Sequence, residues 1–195
     1  MPPDITRVAP EHGGEIAAML GRAFQHDPIF SWPLRAGVTA EDVGSAFAEL
    51  VEIHVGLGTL WQTGGCEGAA AWLPPEHAAA YAEVTEGTAL GLVDLTDDAG
   101  AAYVALWNWI VSCLPGGPSW LLDFVGVEPS RQGRGLGTAL VRHGLARAHA
   151  EGSPADLLTG TAEHVAYYER LGFRVTLDAD APGGGPHVWF MRALP

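Results

Sequence analysis

Val127-Glu128-Pro129-Ser130-Arg131-Gln132-Gly133-Arg134-Gly135-Leu136-Gly137-Thr138-Ala139-Leu140 decides how this chain is read. A strongly apolar run, Trp120 to Val127, leads into it and reads as a strand carrying one carboxylate, Asp123, while a helical pattern runs from Leu136 to Glu151. Strand, glycine-rich turn and helix in that order bring unpaired N–H groups and the positive end of the helix dipole to one point, which makes an anion site. Gly133, Gly135 and Gly137 permit close backbone approach, and Arg131 and Arg134 can fork onto phosphate oxygens. A dinucleotide fingerprint would need glycine where Thr138 stands. On these residues alone the turn serves either an anion or the structural capping of a helix.

Working outward, Asp156 to Thr159 reads as a strand, Ala162 to Leu171 as a helix, and Arg174 to Leu177 with His187 to Arg192 as a final strand pair. Upstream, Asp4 to Val8 reads as a strand. Pro10 then suits the first turn of a helix with apolar positions Ile16, Leu20, Ala23 and Phe24, ending near His26-Asp27-Pro28. Thr39 with Asp42 resembles a capping box for a helix whose stripe is Val43, Ala46, Phe47, Leu50, Val51 and His54. Leu57 to Thr63 and Gly68 to Leu73 form an antiparallel pair across Gly64-Gly65. Glu76 to Leu114 reads as two helices interrupted around Gly91 to Asp98. The order predicts one α/β domain of α+β type over residues 1–195, with a mixed central sheet and flanking helices.

Composition narrows the function. The 195 residues carry 23 acidic side chains against ten basic ones, for a net charge of −13, which argues against nucleic acid or an anionic membrane as partner and favours a cationic ligand. All ten basic residues are arginines, so a Walker-type phosphate loop and a Schiff-base lysine are both excluded. The N-terminus lacks a basic region followed by an apolar stretch, and no window approaches a membrane span, so a soluble cytoplasmic protein is expected. Cys66 and Cys113 form no Cys-x-x-Cys pair, and the histidines show no metal-ligand spacing, so no metal is expected.

Downstream of the glycine loop stands Tyr167-Tyr168-Glu169-Arg170-Leu171-Gly172-Phe173. Together the two stretches resemble the acetyl-CoA motif and the tyrosine-bearing signature of the GNAT superfamily of N-acetyltransferases. From Trp120 to Arg192 the chain is most similar to puromycin N-acetyltransferases and related antibiotic-modifying members. His164, Leu158 and Ser119 depart from residues common in those relatives, namely asparagine, glutamate and histidine. The resemblance implies a GNAT fold in which the fourth and fifth strands splay apart and the pantetheine arm of acetyl-CoA enters the gap. The implied cofactor-binding residues are Val125, Gly126, Val127, Arg131, Gln132, Gly133, Arg134, Gly135, Leu136, Gly137, Thr138, His164 and Tyr168.

Acetyl transfer to an amine needs a base, an oxyanion donor and an acid. The resemblance places the Tyr168 hydroxyl near the sulfur, and a phenol stays protonated at neutral pH. The Val125 N–H is the expected oxyanion donor. Asp123 is the expected base, because strand alternation would put residues 121, 123, 125 and 127 on one face bordering the thioester; a buried structural acceptor is the competing reading of Asp123. Glu49, Glu52, His26 and Asp27 are further candidate proton acceptors. Phe24, Phe30, Trp32, Phe47 and His187 are expected to line a pocket for a small aminated molecule. A protein amine as acceptor and a non-catalytic acyl-CoA-binding module remain alternatives, and exposed final strands would allow a homodimer.

Overall fold

A computed structural model describes residues 3–86 and 90–195; the parts of the sequence reading that fall on residues 1–2 and 87–89 lie outside it. Seven strands form one mixed sheet: β1 (Ile5–Arg7), β2 (Leu60–Thr63), β3 (Gly68–Leu73), β4 (Trp120–Val127), β5 (Ala155–Thr159), β6 (Arg174–Asp180) and β7 (His187–Ala193), in the order β1-β2-β3-β4-β5-β7-β6. Every neighbouring pair is antiparallel except β4 with β5, which is parallel.

Helices cover both faces. On one lie α1 (Gly13–Phe24), the short α2 (Pro28–Ser31) and α3 (Ala40–Leu57), followed along the chain by α4 (Ala78–Thr85) and α5 (Ala101–Cys113); on the other lie α6 (Leu136–Ala150) and α7 (Ala162–Glu169). Thr39 and Asp42 form the capping box that starts α3, the hydroxyl of Thr39 accepting from Asp42 N at 3.2 Å and the carboxylate of Asp42 accepting from Thr39 N at 2.9 Å. That helix runs on to Leu57, so β2 begins at Leu60 rather than at Leu57. The aromatic segment after Asp27 is the helical turn α2, because Asp27 accepts from both Ile29 N and Phe30 N at 3.0 Å. α1 and α3 cross in close contact: a Cβ on Gly21 would fall on Ala40 O and on the backbone of Gly44.

β4 shapes the site. Along β3, Ala71 faces Phe124 and Trp72 faces Leu122, which leaves Asp123 as the extra residue of a β-bulge. The bulge resets the alternation. Trp120, Leu122 and Val125 pack with the α6 cluster, while Leu121 and Phe124 pack with the α1–α3 cluster. Asp123 bonds to His54 on α3 and Tyr81 on α4. The expectation that 121, 123, 125 and 127 share one face is therefore corrected: Asp123 turns toward α3 and α4, and Val125 toward α6. Gly126 is likewise a packing residue. A Cβ there would stand 2.6 Å from Leu20 Cδ2 on α1.

The same ladder decides where the main chain of β4 points. Glu128 N donates to Glu67 O on the β3 side at 2.9 Å, so antiparallel alternation directs the N–H and C=O groups of Val127 and Val125 away from β3. They face β5, yet β5 pairs with β4 only at Trp120 and Leu121. Beyond Leu121 the two strands part, and the splay expected between the fourth and fifth strands is present.

Candidate active site

The gap between β4 and β5 is continuous with a cavity of about 640 Å³. One end is walled by the loop and α6: Arg131, Gln132, Gly133, Gly135, Leu136, Gly137 and Thr138. Gly133 and Gly135 hold φ of +74° and +82°, a left-handed conformation that disfavours a side chain, and a Cβ at either would meet nothing within 4 Å. The chain therefore bends sharply around open space at the start of α6, where the first N–H groups have no intrahelical acceptor. Gln132 Nε2 donates to Val127 O at 3.2 Å and ties the loop to the strand end.

The two loop arginines differ. Arg131 Nε lies 3.0 Å from Glu67 Oε1, so it enters any anion site already partnered. Arg134 is exposed, lies outside the cavity wall and makes no ion pair among the described residues.

α7 supplies the opposite wall with His164, Tyr167 and Tyr168. The Tyr167 hydroxyl is 3.3 Å from Thr138 Oγ1 and is thereby held to the loop. Tyr168 is 7% exposed, and its ring sits among those of His164, Tyr167 and Phe173 at centroid distances of 6.4, 5.0 and 6.0 Å. Burial, reinforced by Tyr167 and Asp27, pushes the Tyr168 hydroxyl well above the ordinary phenol range, so it keeps its proton throughout neutral pH. His164 Nδ1 is 3.4 Å from Thr159 Oγ1 at the open end of β5.

At the other end, Asp123 is held from two sides. His54 Nε2 lies 3.0 Å and the Tyr81 hydroxyl 2.7 Å from the same oxygen, Oδ2, while Oδ1 is buried without a hydrogen-bond partner. His54 is backed by Thr59 Oγ1, 2.7 Å from its Nδ1. Asp123 is thus a buried acceptor with one oxygen still to satisfy. Asp27 also lines the cavity; its burial raises its carboxyl above the usual range despite the backbone bonds of Phe30 and Ile29. Glu49, Glu52 and His26 are exposed and outside the wall.

The aromatic lining differs from the sequence reading. Phe24, Phe30 and Phe47 do line the cavity, joined by Tyr81, Tyr103 and Trp107. Trp32 packs instead with a separate cluster around Phe190. His187 pairs with Asp180 at 2.7 Å and packs edge-on against Trp189, outside the cavity wall. Tyr81 and Tyr103 carry no local motif, whereas His54 had a signal: it occupies the last position of an apolar helical stripe, where a polar ring needs a partner.

Residues 77–175 match the acetyltransferase (GNAT) domain, and the chain belongs to this family of acetyltransferases. Its fold is shared with solved structures from across the superfamily. A histone acetyltransferase HPA2 and related acetyltransferase from Corynebacterium glutamicum is 24% identical with a TM-score of 0.69, covering 100% of this chain and 97% of that one. A polyamine N-acetyltransferase of Drosophila melanogaster that forms N-acetylagmatine is 16% identical at TM-score 0.59, covering 98% and 99%. Arylalkylamine N-acetyltransferase 2 of Aedes aegypti is 10% identical at TM-score 0.66, covering 98% of both chains. No described helix is long and apolar enough to cross a membrane.

Proposed function

We propose that the protein transfers the acetyl group of acetyl-CoA to the primary amine of a small, cationic molecule by direct attack. The observation that carries this reading is the splayed β4–β5 gap, with the main-chain groups of Val125 and the N–H of Val127 left over for a ligand, running from a glycine-rich helix start with open N–H groups into an aromatic cavity. The residues present suit coenzyme A: the N–H groups at Gly133 and Gly135–Thr138 and the Arg134 guanidinium for pyrophosphate, and the strand edge of Val125 and Val127 for pantetheine. When bound, acetyl-CoA supplies an activated acyl group.

The chain's own residues divide the remaining work. The Val125 N–H, fixed in the strand, donates to the oxygen that gains charge during attack. Tyr168 keeps a proton for the departing sulfur. Asp123 Oδ1 accepts the proton that the amine must lose, directly or through water. No acyl-enzyme is required: Cys66 is buried outside the cavity with its thiol pushed up to about 11 by burial, and Cys113 is outside it as well. A cavity walled by aromatic rings and a buried carboxylate suits a small amine better than a peptide segment, and the polyamine and arylalkylamine enzymes among the structural neighbours support that class. Puromycin-type specificity is the finer form of the reading.

Thiol release from acetyl-CoA over a panel of polyamines, arylalkylamines, amino acids and aminated antibiotics including puromycin tests the proposal. At least one small amine should turn over. Acetyl-CoA binding with no turnover on any of them would leave a non-catalytic acyl-CoA-binding module.

A further inference from the structure

Tyr168 stands where a phenolate is costly. Its side chain is 7% exposed, and burial together with the charges of its neighbours Tyr167 and Asp27 disfavours the ionised form. Its hydroxyl makes no hydrogen bond among the described residues. A phenol so placed serves as an acid only if a second proton arrives as the first departs. Tyr167 is badly placed to supply it, since burial raises that phenol too and its hydroxyl is held to Thr138 Oγ1 at 3.3 Å. His164 stands one helical turn before Tyr168 on the same face of α7, with ring centroids 6.4 Å apart and planes at 79°. Whereas Tyr168 is buried, His164 is exposed and lines the cavity, so the two rings lead from solvent to the buried hydroxyl. Thr159 Oγ1 accepts from Thr161 N at 3.3 Å and lies 3.4 Å from His164 Nδ1, which leaves Nε2 as the nitrogen with no partner among the described residues.

Asp27 meets both side chains from α2. A Cβ on Gly160, the residue after β5, would stand 2.8 Å from Ile29 Cγ1 and 3.3 Å from Pro28 Cβ, so the start of α2 rests on the end of β5 next to Thr159. Asp27 uses Oδ1 for the cap, accepting from Ile29 N and Phe30 N, and keeps Oδ2 without a partner among the described residues. It lines the same cavity, close enough for a charged His164 to favour its ionised form and for its own charge to act on the Tyr168 hydroxyl. A carboxylate, an imidazole and a phenol thus meet at the open end of β5.

We propose that His164, paired with Asp27 across the open end of β5, returns to Tyr168 the proton that Tyr168 gives up. This rests on reading Tyr168 as the acid of an acetyl transfer. Tyr168 gives its O–H proton to the sulfur that leaves with the electron pair of the C–S bond. The phenolate oxygen then takes the Nε2 proton of the His164 imidazolium. His164, left neutral with its Nδ1–H toward Thr159 Oγ1, regains a proton at Nε2 from solvent. Asp27 acts by favouring the imidazolium before the transfer, so both residues work through Tyr168 and are positioning residues.

The test uses His164→Asn, which keeps an N–H donor for Thr159 but cannot carry the extra proton. Carboxyl NMR of the full chain without coenzyme reads the pair by itself: with the imidazolium gone, Asp27 should titrate at higher pH than in the native chain. An unchanged midpoint would overturn the pairing. By calorimetry, coenzyme A should bind the variant within about twofold of the native affinity, and a loss of about tenfold would make His164 a contact of the coenzyme instead of a proton carrier. In thiol release with an amine that turns over, His164→Asn should lower kcat about tenfold or more in the native background and less than about twofold in Tyr168→Phe, because nothing remains there for it to serve. Equal losses in both backgrounds, or an unchanged kcat in the native one, would overturn the proposal. Absence of turnover on every amine, with the Asp27 titration moved as expected, would count against the transfer reading and leave the pair standing.

Discussion

The two ends of the cavity are made of different material. At the proposed coenzyme end the wall is mostly main chain: strand groups of Val125 and Val127, the left-handed turns at Gly133 and Gly135, and the first N–H groups of α6. At the proposed acceptor end it is side chain, with Asp123, Tyr81 and Tyr103 brought from β4, α4 and α5, and His54 of α3 buried behind Asp123. Backbone recognition constrains sequence locally, since glycines and a helix start must occur in a fixed order. Side-chain recognition needs only that distant residues meet in space. The first end can therefore stay constant while the second is rebuilt for another amine.

The largest effect expected from this division falls at the junction. Tyr168→Phe should lower kcat by about a hundredfold or more with KM for acetyl-CoA little changed, measured as thiol release. An unchanged kcat would move the acid elsewhere, with Tyr167 the next phenol although its hydroxyl is held to Thr138.

A second prediction stays on the coenzyme end. Arg134→Ala should raise KM for acetyl-CoA about tenfold, because an unpaired guanidinium is free to bond to phosphate, and Arg131→Ala should raise it less, because Glu67 already occupies that side chain. KM for the amine should stay the same in both. A shift in amine KM would show that the two ends are not separable.

The smallest effect concerns stability. The pKa of Asp27 is raised above 3.8 by burial, so the folded state holds a proton that the unfolded chain gives up first. Its contribution is fully present below pH 3.8 and is lost as pH rises through the raised folded value. Asp27→Asn keeps the cap on α2 and removes the titration, so the melting temperature of the variant should gain on the native protein over that interval. A constant difference would mean that burial does not govern this carboxyl.

The same contrast explains what could be read from sequence. The strand-turn-helix at Val127–Leu140, the α3 capping box and the Tyr168 segment are local patterns, and the sheet's mixed character follows from the order of its elements. Asp123 was visible as a carboxylate in an apolar strand, but the face it takes was not. A one-residue bulge, set by how β3 and β4 pair across the 46 residues (74–119) between them, reverses the alternation there. Trp32 and His187 were plausible by proximity to the pocket segments, yet they find nearer partners, Trp32 in the Phe190 cluster and His187 on Asp180 and Trp189. Tyr81 and Tyr103 had no signal at all, because only tertiary packing brings Tyr81 onto Asp123 and both rings to the cavity wall.

Hydrogen exchange with and without acetyl-CoA reads binding along the β4 edge and the glycine loop amide by amide. Binding should slow exchange at Val125 and Val127 and at Gly133 and 135–138, with little change at the amides of α1 and α3. Protection confined to other segments, or none at Val125 and Val127 when acetyl-CoA is bound, would contradict that placement.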